Sequence, residues 1–169
     1  MSAVLCDNER VALAWRCLER VADPEIPVLS VVDLGIIRDV TEDAAGCLVV
    51  SLSTTYSGCP ATEVIRTAVE RSLGIANLAP FRIHTVLSPA WSSDWISVQG
   101  REKLRAYGIA PPENTVPNPR QLLHAPRPVA CPRCASLNSE RVSEFGSTPC
   151  KALYRCLSCR EPFDYFKCI

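Results

Sequence analysis

Long apolar runs are missing from this 169-residue chain. No stretch approaches the roughly 18 apolar residues of a membrane-spanning helix, so no membrane association is expected. Residues 1–6 lead into no apolar signal core, which predicts a cytoplasmic protein. Net charge is also missing: 18 Lys and Arg balance 18 Asp and Glu, so nothing general points to nucleic acid or an acidic surface. The first 110 residues hold 10 basic against 13 acidic side chains and the rest 8 against 5, an imbalance that different surfaces explain. Histidine is scarce, and His84 has no second histidine nearby, which favours a surface or structural role over ligation. What the chain does have is cysteine and proline. Ten cysteines would mean disulfides in a short secreted protein. Without an export signal, and with pairs at C-x-x-C spacing, they predict metal binding in a reducing compartment.

The stretch Thr54-Thr55-Tyr56-Ser57-Gly58-Cys59-Pro60 follows a strand-like run at 47–52 and opens a helical pattern. Ala61, Val64, Ile65, Ala68, Val69 and Leu73 share one helix face. Pro60 suits the first helical position, which leaves Cys59 at or beside the N-cap. There, unpaired N–H groups and the helix dipole favour a thiolate, the form that attacks electrophiles or binds metal. The other reading is a small residue filling the strand–helix corner.

Around this stretch the pattern predicts a helix from a cap at Asp7 to Ala22, buried through Val11, Ala14 or Trp15, Leu18 and Val21 or Ala22. Strands are expected at 36–40, 47–52 and 81–87, with a hairpin turn at 41–46 and Gly74 as the stop of the second helix. Ser97 caps a short helix closed by Gly108. Asp23, Glu25 and Asp33 gather three carboxylates within eleven residues, a pattern that fits helix-end and turn capping before any metal role. Trp15 reads as a core anchor. Trp91 and Trp95 fit either packing or a partner surface.

Six prolines between residues 110 and 130 read as an extended, semi-rigid linker. Beyond it, Cys131-x-x-Cys134 and Cys156-x-x-Cys159 are 21 residues apart, the spacing of two metal knuckles on short hairpins. About 40 residues bury too little surface to fold alone, whereas four-thiolate zinc contributes roughly 10–16 kcal/mol of apparent binding energy. Zinc is preferred, although iron takes the same ligand set. Rubredoxin-type knuckles usually carry glycine after the second cysteine, where Ala135 and Arg160 stand here. Cys150 and Cys168 fit core, redox or second-metal roles, and spacing does not choose among them.

Asp23-Pro24-Glu25-Ile26-Pro27, Val32-Asp33-Leu34-Gly35-Ile36-Ile37 and Thr54–Pro60 together resemble the SufT-like iron–sulfur assembly domain, over about residues 7–108. The resemblance implies that the three segments meet around Cys59, with Asp23, Glu25, Asp33, Thr54 and Thr55 shaping its pocket. Residues 143–148, 150–156 and 160–168 extend it to a narrower family, the accessory subunits of the multicomponent phenylacetyl-CoA epoxidase. Thr54 stands where that subgroup is expected to have proline, which changes loop rigidity but leaves the cysteine in place. The chain has no Glu-x-x-His pair, no Gly-rich dinucleotide loop and no plant-type ferredoxin spacing. The resemblance therefore implies a non-catalytic accessory protein in aerobic phenylacetate degradation. It would assemble or deliver a transient iron or iron–sulfur centre to an oxygenase or reductase subunit.

The expected fold is α/β: a small mixed sheet with packed helices over 1–109, a linker over 110–128 and a zinc ribbon over 129–169. One thiolate cannot complete a cluster site, which normally takes four ligands. A homodimer, a partner's ligand or a labile handover site is therefore expected. The competing readings are a structural adaptor of the epoxidase complex, an electron carrier using iron in the ribbon and, last, nucleic-acid binding.

Overall fold

A computed structural model of the chain describes residues 3–54, 61–112 and 129–167, of which 3–8 are described as backbone. The chain forms two compact units, Met1–Gly100 and Arg101–Ile169. That division falls nine residues before the expected boundary at 109. Ile109–Ala110 hydrogen-bond into the second sheet, which makes them part of that unit.

The first unit contains α1 (Ala3–Leu18), β1 (Ile37–Glu42), β2 (Leu48–Leu52), α2 (Ala61–Ile75) and β3 (Phe81–Thr85). β1 and β2 form an antiparallel hairpin. The Asp43 carboxylate holds its turn by accepting from the N–H groups of Ala45 and Cys47, both at 3.0 Å. β3 pairs parallel to β2, from Leu48 opposite Phe81 to Leu52 opposite Thr85, so α2 is the crossover that parallel pairing requires. This is a mixed three-stranded sheet with helices packed on it, as the α/β pattern predicts.

Several element ends differ from expectation for identifiable reasons. α1 already runs at Ala3, so Asp7 lies inside it, and it stops at Leu18 rather than Ala22. Beyond Leu18 the backbone closes a loop: Asp23 N–H donates to Leu29 O at 2.8 Å and Val31 N–H to Val21 O at 2.9 Å. Those bonds form an antiparallel bridge at Ala22 and Ser30, which a continuing helix would forbid. Of the alternatives for the stripe, Ala14, Leu18 and Val21 are buried, while Trp15 and Val11 are half-buried and Ala22 is exposed. Gly74 lies within α2. The helix ends at Ile75, and its closing turn is made at Asn77, whose φ of 54° lets Leu78 N–H reach Leu73 O and its own N–H reach Gly74 O. On α2, Ala61, Ile65, Val69 and Leu73 face the core, but Val64 is 55% exposed, so the buried stripe is narrower than its apolar pattern.

One tie had no sequence signal. Arg10 on α1 pairs with Glu42 of β1 and donates to Gly46 O at 2.9 Å and Leu78 O at 3.0 Å, joining helix, hairpin and the end of α2.

A 3₁₀ turn at Ser93–Trp95 precedes α3 (Val98–Tyr107). Ser97 caps α3 by accepting from Gly100 N–H at 2.8 Å, and Gly108 closes it at φ 93°. The second sheet contains β4 (Ile109–Ala110), β5 (Ser139–Ser143), β6 (Lys151–Cys156) and β7 (Pro162–Phe166), in the order β4-β7-β6-β5. Its small core gathers Ala110, Val129, Cys131, Ala152, Tyr154, Cys156 and Phe163, with Tyr165 packed against it. Residues 113–128, most of the expected linker, lie outside the described residues.

Candidate metal centre

The four cysteines of the two C-x-x-C pairs converge. The sulfurs of Cys131, Cys134, Cys156 and Cys159 all lie within 4.8 Å of one another. Cys131 and Cys159 are 3.8 Å apart, Cys134 and Cys156 3.6 Å. A tetrahedron with zinc–sulfur arms of about 2.3 Å has edges near 3.8 Å, so the donor set fits a four-coordinate metal. With all four positions taken by thiolates, such a centre would have no place for water or substrate.

Both knuckles use the same backbone device. Ala135 N–H donates to Cys131 O at 2.8 Å, and Cys131 N–H to Ser136 O at 3.0 Å; in the other, Cys156 N–H donates to Glu161 O at 2.9 Å. The residue after each second cysteine takes the left-handed conformation, Ala135 at φ 58° and Arg160 at φ 68°. The missing glycines therefore leave the knuckle geometry intact while adding strain to it. Ser136 and Ser158 join the two knuckles through an Oγ–Oγ hydrogen bond of 2.8 Å. Reasoning from cysteine spacing misses that contact, and a serine two residues after Cys134 and another two after Cys156 is its signal.

The sulfurs are electrostatically unequal. The N–H of Cys159 reaches the Cys156 sulfur at 3.4 Å and, with help from Ser158 N–H, brings that thiol down to about 6 against the opposing effect of burial. Cys159 is pushed up to about 12. The Glu161 N–H favours its thiolate, but burial and the neighbouring sulfurs of Cys156, Cys134 and Cys131 outweigh it. Four thiolates this close need a cation to coexist.

Cys59, Thr55 and the rest of 55–60 lie outside the described residues, as does Cys168. Of the expected pocket, Asp23, Glu25, Asp33 and Thr54 are described, and Asp23 and Asp33 cap nearby backbone. Asp23 is buried and accepts from Glu25 N–H at 2.9 Å and Ile26 N–H at 2.7 Å. Asp33 is buried too. It accepts from Ser30 N–H and Oγ at 3.0 and 2.9 Å, and from Ser97 Oγ at 3.3 Å. Through Ser97, whose N–H also donates to Asp33 O, this carboxylate fixes the start of α3. Glu25 and Thr54 are half-buried. Gly35 sits at φ +65°, and a Cβ there would lie 2.7 Å from the Cβ and O of Trp95, so only glycine fits. Trp91 is buried and donates its indole N–H to Leu34 O at 2.9 Å, while Trp95 carries the Arg38 guanidinium 3.3 Å above its ring. Both tryptophans therefore pack on the 33–38 segment. His84 is exposed, 3.4 Å from Ser51 Oγ. Cys150 lies 3.0 Å from Thr148 Oγ1.

Two family models match the chain. One described as iron–sulfur cluster assembly protein matches residues 14–80, and one described as PaaD zinc beta ribbon domain matches residues 115–167. An Escherichia coli K12 protein, provisionally named as a component of 1,2-phenylacetyl-CoA epoxidase, is 50% identical over 155 residues, covering 92% of this chain and 91% of that protein. A Bacillus subtilis Fe-S protein maturation auxiliary factor is 33% identical over 81 residues, covering 47% of this chain and 78% of its own. Among solved structures, a domain of unknown function from Bacillus anthracis superposes with a TM-score of 0.55 at 26% identity, covering 60% of this chain and 96% of that one. The chain thus belongs to the family of the Escherichia coli epoxidase component, with an iron–sulfur assembly domain followed by a PaaD-type zinc ribbon.

Proposed function

We propose that this protein is an accessory subunit of the phenylacetyl-CoA epoxidase system that assembles or delivers an iron or iron–sulfur centre to the complex. The observation that carries the reading is the pairing, in one chain, of an iron–sulfur assembly domain with a PaaD-type ribbon, in a protein 50% identical to the Escherichia coli epoxidase component over 92% of its length. The likeness of the first unit to Fe-S maturation factors supports the same role. Cys59 acts as the transient thiolate ligand. Asp23 and Asp33, buried and capped, act through the backbone they fix, while Glu25, Thr54 and Thr55 line the approach. The ribbon metal is zinc and is structural. The protein works in the cytoplasm beside its clients, the oxygenase or reductase subunits, and among the described residues no helix is long and apolar enough to cross a membrane.

The test is Cys59→Ser. Growth on phenylacetate should fail and purified reductase should lose most of its cluster, while the variant keeps its ribbon metal. Normal growth with a fully loaded reductase would refute the delivery mechanism.

An adaptor role is the second reading. It is favoured by the exposed Leu137, Val142 and Phe145 of the second unit, 57%, 56% and 65% accessible. An adaptor would tolerate Cys59→Ser and lose co-purification with the complex when these three become polar.

A further inference from the structure

The outer face of α2 carries a second apolar pattern that the core does not use. Val64 is 55% exposed and Ile75 73%, and Ala68 lies between them on the same flank. Glu63, Val64, Thr67, Ala68 and Arg71 line a shallow groove along the helix. Among the described residues, α2 packs on α1 and β3 through its opposite face. Neither Glu63 nor Arg71 has an ion-pair partner among the described residues, whereas the neighbouring Arg66 pairs with Glu70 at 3.2 Å.

The charges are placed symmetrically. Glu63 stands four residues before Thr67 and Arg71 four residues after it, each about 6 Å along the axis. The middle is small: Thr67, whose hydroxyl is turned back onto Glu63 O at 2.9 Å, and Ala68. When a second α2 is laid antiparallel across this one with the two-fold axis at Thr67, each Glu63 meets the other copy's Arg71. The small residues then let the backbones approach, and the Val64 and Ala68 ridges fill the facing grooves. Such a surface is complementary to itself.

We propose that α2 is a self-association surface whose partner is a second copy of this chain, joined by two symmetry-related Glu63–Arg71 ion pairs around Thr67 and Ala68. The start of each α2, Ala61, lies about 9 Å from the axis, so the two helix starts are about 18 Å apart on opposite sides. The pair therefore presents two separate sites rather than one shared between copies, and it does not depend on the delivery role of Cys59.

The test is sedimentation equilibrium of the full metal-loaded chain at concentrations up to about 1 mM, the weak end of specific association. Wild type should rise from 18.5 kDa toward twice that mass, and less so in high salt. Glu63→Arg or Arg71→Glu alone sets like charges against each other and should hold the mass at the monomer value. The double swap, Glu63→Arg with Arg71→Glu, restores the pairs and should restore the dimer. Rescue separates pairing from any damage to the helix, which thermal melts of the single variants check directly. A wild-type monomer throughout, a monomeric double swap or dimeric single variants would overturn the proposal. So would a mass that rises only when another protein is added.

Discussion

The two units solve the same problem with different materials. In the first, Leu18, Val31, Leu48, Val50, Val69 and Leu73 are fully enclosed, and they come from both helices, a strand and the loop between α1 and β1. In the second, the buried cluster among the described residues numbers seven, and two of them, Cys131 and Cys156, belong to the four-cysteine group that could hold a metal. One core is held by carbon contacts spread along the chain. The other is a thin layer of Ala152, Tyr154 and Phe163 set on a frame of four sulfurs. What differs is the event that destroys each: loss of packing in one, loss of an ion in the other.

Metal removal should separate them most sharply. Structural zinc contributes roughly 10–16 kcal/mol in comparable peptides, more than the small core replaces. After a strong chelator and verified metal loss, residues 129–167 should become protease-sensitive, while a fragment near Met1–Gly100 stays resistant. Acid should act in the same direction. Metal binding needs thiolates, so stability is lost as pH falls and the ligands protonate. Mass mapping of limited digests checks both, and a protected second unit without metal would contradict the contrast.

The converse perturbation is smaller. Leu73→Ala opens a cavity under α2 in a fully buried position, at a cost of about 2–5 kcal/mol. Calorimetry should show the transition of the first unit moving down while metal content stays at the wild-type level. A matching loss of metal would show that the ribbon leans on the first core.

The two units are legible in the sequence to different depths. The ribbon is legible because its chemistry is local: two C-x-x-C pairs fix where the sulfurs go. The hairpin and α2 are legible from periodicity. The end of α1 is not, since Val21 and Asp23 are claimed by backbone bonds to Val31 and Leu29, a tertiary event that propensity does not encode. Val64 reads as core because an apolar residue beside a buried stripe looks the same whether it packs inward or faces a partner. Asp23 and Asp33 read as caps and are caps, and Gly35 owes its place to Trp95, sixty residues further along the chain. Cys59 stands out from helix-start chemistry alone, and the described residues neither add to nor subtract from that reading.

The smallest expected effect bears on a backbone requirement that the two units meet differently. Gly35 in the first unit takes φ +65° at a position where any side chain would strike Trp95. In the ribbon, Ala135 at 58° and Arg160 at 68° take the same conformation with a Cβ in place. A non-glycine residue there costs roughly 1–3 kcal/mol, and glycine returns part of that through a more flexible unfolded chain. Arg160→Gly should therefore stabilise the ribbon by about 1 kcal/mol, seen as about fivefold tighter metal retention in a chelator competition. Ala135→Gly should do the same, and neither should shift the melting of the first unit. Gly35→Ala reverses the sign, lowering that melting and leaving metal retention unchanged. If Arg160→Gly weakens metal retention instead, the guanidinium rather than the backbone is what matters at that position, and its charge offsets the net negative charge of the four-thiolate centre.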